Sequence, residues 1–335
     1  MIIARVPLRI SFFGGGTDYS AWLSDNDGAV LSTTIDKYIY ITARYLPPFF
    51  EHKSRIVWSL IETPKRIDEI KHPSVRECLR FMRIKKGVEI HYDADLPSRT
   101  GLGSSSSFTT GLLNSLYALK GQLVSKDKLA ADAIHVEQDL LKENVGSQDQ
   151  IAAAFGGFNL INFPSKGKFI VTPVTIAAER LKLLNQHLLL VFTGFSRFSS
   201  EVAGRIIKNV KKRKNDLRAM KNLVDESVKI LVNEKSSIEE FGKLLHENWL
   251  IKKDLAEGVT IPVVDDIYRE ARRNGAIGGK LLGAGGGGFV LIFAEPQKLR
   301  IIKKRLKKFL IVPFEFERMG SQIIFYNPET EYEFK

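Results

Sequence analysis

The most informative part of the sequence is LPSRTGLGSSSS, residues Leu96–Ser107. It follows the strand-like segment GVEIHYDADLP and precedes an apolar, helical run that ends at Gly121. The backbone N–H groups at a helix N-terminus are unpaired, and the helix dipole is positive there, so an anion is favoured. The stretch therefore predicts a phosphate-binding loop, with a serine-capped helix and a flexible entry as the alternative.

Glycine and serine have separate uses in such a loop. Gly101 and Gly103 let the backbone approach a phosphate chain, and the serines add hydroxyl groups, one of which can ligate Mg²⁺. The loop is not a Walker A motif, because the Gly-Lys-Ser/Thr ending is missing. We expect ATP to contact Pro97, Gly101, Leu102, Gly103, Ser104, Ser105, Ser106 and Ser107.

Two further glycine-rich stretches lie far from this loop in the chain. PLRISFFGGGTDY, Pro7–Tyr19, begins like a strand and ends in three glycines followed by Thr-Asp-Tyr. GAGGGGF, Gly283–Phe289, lies between two apolar strands. Successive glycines remove side chains where another group must approach the backbone. We therefore interpret the second stretch, including Gly285 and Gly286, as a loop that faces a ligand, with a flexible turn as the alternative. The three glycines of the first stretch indicate by themselves only a tight turn or a close approach.

Two acidic residues follow the predicted phosphate loop, Glu137 in a helical segment and Asp149 in GSQDQ. Phosphoryl transfer requires a cation that bridges phosphate oxygens and a group that orients or deprotonates the attacking hydroxyl. Glu137 suits the first task and Asp149 the second. Taken separately, each would more often be a solvated surface acid.

Length and composition indicate the class of protein. The chain has 335 residues, of which 44% are hydrophobic, which is enough for about two domains. The strand-like and helical segments along the chain predict an α+β architecture. We place the boundary between residues 1–185 and residues 186–335. There is no stretch long enough for a membrane span and no pattern of a signal peptide, so we expect no membrane partner and a cytoplasmic location. Cys78 is the only cysteine, and the six histidines lack zinc-ligand spacing.

The formal net charge of +12 has two interpretations, a nucleic-acid or membrane surface and a chain that handles phosphorylated small molecules. The densest basic run, Lys211–Lys214, lies within apolar residues at roughly helical spacing. That pattern favours a solvated helix face, and no zinc-finger or RNA-recognition motif accompanies it. We expect no nucleic-acid partner.

Together the three glycine-rich stretches resemble the motifs of the GHMP kinase family, named for galacto-, homoserine, mevalonate and phosphomevalonate kinases. Their order matches that of the family, and the resemblance covers essentially the whole chain. It implies an N-terminal domain like domain 2 of ribosomal protein S5, a ferredoxin-like C-terminal domain, and an active site in the cleft between them. The cofactors implied are ATP and Mg²⁺.

The resemblance also assigns roles to residues of the first motif. Arg9 falls on the arginine near the transferred phosphate, and Thr17 and Asp18 fall on the residues that hold sugar hydroxyls. The glycines let the backbone run beside the sugar, so the expected substrate contacts include Gly14, Gly15, Gly16, Thr17 and Asp18. Galactokinases have Gly-Glu-His before the Thr-Asp-Tyr, whereas this chain has three glycines. The segment is more similar to that of bacterial D-glycero-D-manno-heptose 7-phosphate kinases. Fucokinase-type domains are the next most similar group.

Further roles are implied by the same resemblance. Ser105 and Glu137 match the Mg²⁺ pair, and Asp149 matches the catalytic aspartate, which either takes the proton or holds the hydroxyl in line. A sugar phosphate substrate would need cations away from the ATP loop, and Lys37 and Arg197 are candidates. For Arg197 the alternative is an ordinary surface arginine near a helix start. The expected oligomeric state is a monomer or a homodimer.

Overall fold

The computed structural model describes residues 1–194 and 199–327. Within them the chain forms two β-sheets with helices packed around them. The strands are β1 (Ile2–Phe13), β2 (Gly28–Tyr45), β3 (Arg55–Val57), β4 (Ile61–Glu62), β5 (Val88–Ala94), β6 (Phe158–Phe163), β7 (Ile170–Pro173), β8 (Leu188–Phe192), β9 (Gly278–Leu281), β10 (Phe289–Phe293), β11 (Ile311–Val312), β12 (Phe316–Glu317) and β13 (Gln322–Tyr326).

The helices are distributed along the chain. They are α1 (Ser20–Leu23), α2 (Pro73–Phe81), α3 (Ser104–Leu119), α4 (Lys126–His135), α5 (Gln148–Phe155), α6 (Ala178–Gln186), α7 (Ser199–Asn209), α8 (Lys214–Val232), α9 (Ile238–Lys253), α10 (Pro262–Arg273) and α11 (Pro296–Arg305). Four of them, α7 to α10, follow one another between β8 and β9. A 3₁₀ turn, Ile67–Glu69, precedes α2, and a π-helical turn, Val136–Leu140, follows α4. No helix of the described ranges combines the length and the apolar character that crossing a bilayer requires.

The first sheet is built on the long β1–β2 hairpin, whose register runs from Ile2 opposite Ala43 to Phe13 opposite Leu31. Its path is β13-β1-β2-β5-β3-β4, and β6 and β12 also pair with β2. All pairs are antiparallel except β3 with β5. The apolar helix α3 covers β1 and β2, with Leu112, Leu113 and Leu116 buried.

The second sheet has the order β11-β8-β10-β9, entirely antiparallel. With helices between β8 and β9 and α11 between β10 and β11, this is the strand order of a ferredoxin-like domain, which the family resemblance implied. Alternation along β8 sends Leu190 toward the core shared with the first sheet and Leu189 and Val191 toward a second core under α7, α10 and α11.

The two halves of the chain meet through aromatic side chains and through returning strands. Phe12 and Phe13 at the end of β1 pack edge-on against Phe241 of α9, with ring centroids 5.4 and 5.1 Å apart. The last strands, β12 and β13, pair with β2 and β1 of the first sheet. The domain boundary between residues 185 and 186 stays a prediction, and it falls within the last turn of α6.

The basic run Lys211–Lys214 differs from its expected place on a single helix face. Helix α7 ends at Asn209 and α8 begins at Lys214, so Lys211 and Lys212 are exposed in the turn between two helices. In this turn the charges of Lys211 and Lys212 are in contact with solvent, although they do not lie on one face of a helix.

The N-terminus of α9 provides a test of the fold at one residue. The sequence suggests a capping box beginning at Ser236, but in the structure the Ser237 hydroxyl accepts from the Glu239 N–H at 3.2 Å. We expect Ser237→Ala to lower the free energy of unfolding by about 1 kcal/mol, measured by urea denaturation, because a cap acceptor is lost. The matched Ser236→Ala should change it by only a few tenths of a kcal/mol, and an equal loss in both would show that the cap is not at Ser237.

Candidate active site

Arg9 and Asp149 form a bidentate ion pair across 140 residues of sequence. Strand β1 carries Arg9, which is 3% exposed, and the first turn of α5 carries Asp149. Arg9 donates from Nε to Asp149 Oδ1 and from Nη2 to Oδ2, each at 2.7 Å, while Nη1 donates to the Gly101 carbonyl at 2.7 Å. Parallel charge-assisted bonds fix the carboxylate in direction as well as in place. Arg9 thereby joins the aspartate to the predicted phosphate loop.

The phosphate loop adopts the expected strand–turn–helix conformation. Gly101 and Gly103 have φ of 84° and 77°, in the left-handed region, and Gly103 is the N-cap of α3. Five residues of the predicted ATP set line the cleft, namely Gly101, Gly103, Ser104, Ser105 and Ser106.

The other three residues of the predicted set have other surroundings and do not line the cleft. Leu102 is buried in the core, and its carbonyl accepts from the Arg9 N–H. The Ser107 hydroxyl donates to the Pro7 carbonyl, and Pro97 is exposed at the start of the loop.

Glu137 lies in the π-helical turn, which brings its carboxylate to the start of α3. π-Helical turns are frequent at functional sites. Oε2 accepts from the hydroxyl of Ser106 at 2.8 Å and from the Gln150 amide, while buried Oε1 receives no hydrogen bond of good geometry from the described residues. Burial is the main cause that raises the pKa of Glu137 to about 7, and nearby Glu143 adds to it.

An unpartnered, buried carboxylate oxygen is a suitable ligand for Mg²⁺. The predicted pair is Ser105 and Glu137, and Ser105 is exposed to the cleft while Ser106 is the serine that contacts Glu137. The described residues contain no cluster of three or more acidic, histidine or cysteine side chains that could hold a metal alone. A bound Mg²⁺ would therefore be completed by phosphate oxygens and water, which is its usual preference.

The glycine motif after β1 brings one further carboxylate to the cleft. Buried Asp18 accepts from the backbone N–H groups of Gly16 at 3.0 Å and Gln148 at 3.1 Å. A Cβ on Gly146 would lie 1.9 Å from Asp18 Oδ2, so this loop requires glycine to fit over the carboxylate. Burial raises the pKa of Asp18, and the charge of Asp149 acts in the same direction. Gly15 and Gly16 line the cleft beside it.

Several predicted substrate residues do not line the cleft. Thr17 is buried, and its hydroxyl donates to the Gly14 carbonyl at 2.8 Å and accepts from the Ala29 N–H at 3.1 Å, which ties the turn to β2. A Cβ on Gly14 would lie 1.8 Å from the Ala29 oxygen, so that glycine allows close backbone packing. Lys37 pairs with its neighbour Asp36 at 2.9 Å.

The C-terminal glycines divide between the cleft and the core. Gly283 and Ala284 line the cleft, whereas Gly285 and Gly286 pack on Val259, whose carbonyl accepts from the Gly286 N–H at 3.2 Å. Arg197 lies outside the described residues.

Three cations of the cleft were not predicted from the sequence, namely Arg99, Lys252 and Lys280. Among the described residues, these three and the predicted Arg9 line the cleft, against two carboxylates, Asp18 and Asp149. Such an excess of positive charge favours a polyanionic ligand. Lys252 follows Leu245 and Asn248 on the buried face of α9, and a lysine on that face was the available signal.

Two family models match the chain, "GHMP kinases N terminal domain" over residues 73–157 and "GHMP kinases C terminal" over residues 219–312. Together they cover slightly more than half of it. The chain belongs to the GHMP kinase family. The phosphate loop lies in the first matched region, and Lys252 and Lys280 lie in the second.

Relatives and solved structures agree with the family. This GHMP kinase is 29% identical to a D-glycero-alpha-D-manno-heptose 7-phosphate kinase of Campylobacter jejuni, over 92% of the chain and 93% of the relative. It is 26% identical to the bifunctional fucokinase/GDP-fucose pyrophosphorylase of Arabidopsis thaliana, over 91% of the chain but only 31% of that relative. A D-glycero-D-manno-heptose 1-phosphate kinase structure from Bacteroides thetaiotaomicron has the same fold, with a TM-score of 0.78 at 23% identity over 96% and 98% of the two chains.

The raised pKa of Glu137 predicts a pH dependence of stability. Because the folded protein binds this proton more tightly than the unfolded chain, the free energy of unfolding should fall as pH rises from about 4.5 to about 7. Across this range the free energy of unfolding of the wild type should fall by about 3 kcal/mol relative to that of Glu137→Gln. Urea denaturation at pH 4.5 and at pH 8 measures both. At pH 8, Mg²⁺ should then raise Tm of the wild type more than that of the variant.

The exposed pair of Glu240 with Lys243 supplies the control, since Glu240→Gln should leave the pH profile unchanged. Parallel profiles for the wild type and Glu137→Gln would show that Glu137 ionises normally in the folded protein.

Proposed function

We propose that this chain is an ATP- and Mg²⁺-dependent sugar kinase that phosphorylates the anomeric hydroxyl of D-glycero-D-manno-heptose 7-phosphate. The product would be the 1,7-bisphosphate, a precursor of nucleotide-activated heptose for surface polysaccharide. The observation that carries the proposal is the Arg9–Asp149 pair, held against the phosphate loop at Gly101 in a cleft with excess positive charge.

The ATP side of the cleft is the N-terminus of α3. The triphosphate would lie on the free N–H groups of that helix and on the hydroxyl groups of Ser104 and Ser105. Ser105 and Glu137 would hold Mg²⁺, which when bound bridges phosphate oxygens and offsets their charge. Arg9, with its Nη1 already on the loop, places positive charge beside the group to be transferred.

The acceptor side is formed by Gly15, Gly16 and Asp18. The two glycines leave room for a sugar ring, and the Asp18 carboxylate can accept from sugar hydroxyls through the lone pairs that its two backbone donors leave free. Asp149 faces the same cleft and is 25% exposed at its side chain, so an acceptor hydroxyl can reach it. Asp149 then holds that hydroxyl in line, or takes its proton. An anomeric hydroxyl is more acidic than an ordinary alcohol, so its deprotonation needs only a weak contribution from a base.

The choice of heptose rests on the relatives. The names of the Campylobacter jejuni relative and of the Bacteroides thetaiotaomicron structure both specify a D-glycero-D-manno-heptose, and they differ in the position of the phosphate. The match to a fucokinase supports a second candidate, an anomeric kinase for an unphosphorylated sugar. A third candidate is a sugar- or nucleotide-binding regulator without catalysis, which would not require an intact Arg9–Asp149 pair.

A panel of acceptors separates these candidates. The purified protein is incubated with ATP, Mg²⁺ and heptose 7-phosphate, free heptose, mannose, fucose or galactose, and the position of the new phosphate is determined by ³¹P and ¹H NMR. We expect transfer to heptose 7-phosphate, with the new phosphate on C1, because the cleft combines excess positive charge with room for a sugar.

Comparable kcat/KM for free fucose or mannose would contradict the sugar phosphate assignment. A new phosphate on another carbon would contradict the anomeric assignment. ATP binding without any transfer would favour the regulator.

A further inference from the structure

Lys252, at the end of α9, is a buried cation without an acidic partner in the described part of the chain. Its side chain donates from Nζ to the Leu281 carbonyl at 3.0 Å and to the Gly283 carbonyl at 2.5 Å, and the residue is 6% exposed. An ammonium has three N–H donors, so one is left for another acceptor. Because Lys252 also lines the cleft, a ligand there can supply that acceptor.

The carbonyl that Lys252 binds lies at the contact between the two glycine-rich loops. A Cβ on Gly283 would be 2.5 Å from the Cα of Gly101, so the two backbones touch. Arg9 Nη1 donates to the Gly101 carbonyl, and Lys252 Nζ donates to the Gly283 carbonyl. One cation from each domain is thus fixed to this junction, next to the phosphate loop.

The charges around Lys252 are unbalanced without a ligand. Arg9 and Lys280 repel it, and Asp149, which is already paired with Arg9, is the carboxylate that attracts it. Burial, followed by the charge of Arg9, lowers the pKa of Lys252 to about 7. A phosphoryl group brings negative charge on several oxygens, which would compensate the ammonium and keep it protonated.

Lys280 is bound differently. Its Nζ donates to the carbonyls of Ser11 at 2.9 Å and Phe12 at 2.8 Å, so it fixes β9 to the end of β1. Lys280 therefore positions the end of β1, which leads into the glycines Gly14–Gly16, whereas Lys252 is attached to the loop that contacts Gly101 of the predicted phosphate loop.

We propose that Lys252 is a catalytic residue that donates a hydrogen bond to the phosphoryl group during its transfer from ATP to the acceptor. This role rests on the proposed kinase function. In the step, the acceptor oxygen forms a bond to the γ-phosphorus and its proton passes to Asp149. The bond between the γ-phosphorus and the bridging oxygen breaks, and its electron pair stays on ADP. Lys252 keeps its proton and contacts the non-bridging oxygens, whose charge must be stabilised.

The kinetic test compares three substitutions at residue 252 with a control on the same helix. Lys252→Met keeps the length of the side chain and removes the charge, and we expect kcat to fall about 100-fold while KM for ATP and for the acceptor changes less than about threefold. Lys252→Arg should restore at least a tenth of the activity, and Lys252→Gln should not. Lys253→Met should be as active as the wild type.

Three results would overturn the proposal. One is an unchanged kcat in a folded Lys252→Met protein. Another is a loss confined to KM for the sugar phosphate, which would place Lys252 on the acceptor's own phosphate. The third is equal rescue by Gln and Arg, which would mean that Lys252 only tethers the Gly283 loop.

A second readout does not depend on the acceptor. Calorimetry of ATP binding at pH 7.5, in two buffers with different ionisation enthalpies, measures the protons taken up. The wild type should take up more protons than Lys252→Met. The negative charge of the phosphates raises the lowered pKa of Lys252, so the lysine takes up a proton from the solvent. Arg9 and Asp149 are present in both proteins, so the difference reports on Lys252 and on its effect on the pKa of neighbouring Lys280. Proton uptake without phosphorylation of heptose 7-phosphate would overturn the proposed substrate, and it would still place Lys252 beside the phosphates of bound ATP.

Discussion

The hydrogen bonds of the Arg9 guanidinium connect three elements that are distant in the sequence. Strand β1 supplies the arginine, α5 supplies Asp149, and the loop before α3 supplies the Gly101 carbonyl. A planar group with a fixed array of donors can satisfy a carboxylate and a carbonyl together, whereas a lysine at the same place could not hold the carboxylate in a bidentate pair. Asp149 and the predicted phosphate loop are therefore both positioned by one side chain of β1, a strand of the first sheet.

The contact between domains serves the same arrangement. Gly101 and Gly283 touch through their backbones, and the aromatic rings of Phe12, Phe13 and Phe241 pack nearby at the end of β1. Lys252 and Lys280 lie in this interface, and their amino groups donate to backbone carbonyls. Burying an ammonium group with only carbonyl partners costs desolvation free energy. Such groups are common where function, rather than stability, determines the residue. The cationic side chains of the cleft are thus in place to bind a negatively charged ligand.

Much of the fold was predictable because its signals are local. The glycine turn before α3, the antiparallel hairpin and the order of the second sheet follow from short patterns and from the family resemblance. The site was predictable where a motif fixes a backbone, as at Gly101 and Gly103. It was less so where a side chain has two possible uses. Thr17 has the hydroxyl that a sugar would require, but the structure uses it to fasten the turn to Ala29. Lys252 was missed, since lysine is normally assigned to the surface and only tertiary packing buries it.

The Arg9–Asp149 pair can be tested as a unit by a double-mutant cycle on kcat. Arg9→Met and Asp149→Asn are measured singly and together, with ATP and the best acceptor, and Tm is used to verify folding. If the two residues act as one coupled unit, each single substitution should reduce kcat about 100-fold or more. The double variant should then be about as slow as the slower single variant. Effects that multiply in the double variant would show that the two residues act independently, and that their bidentate contact is not what organises the reaction.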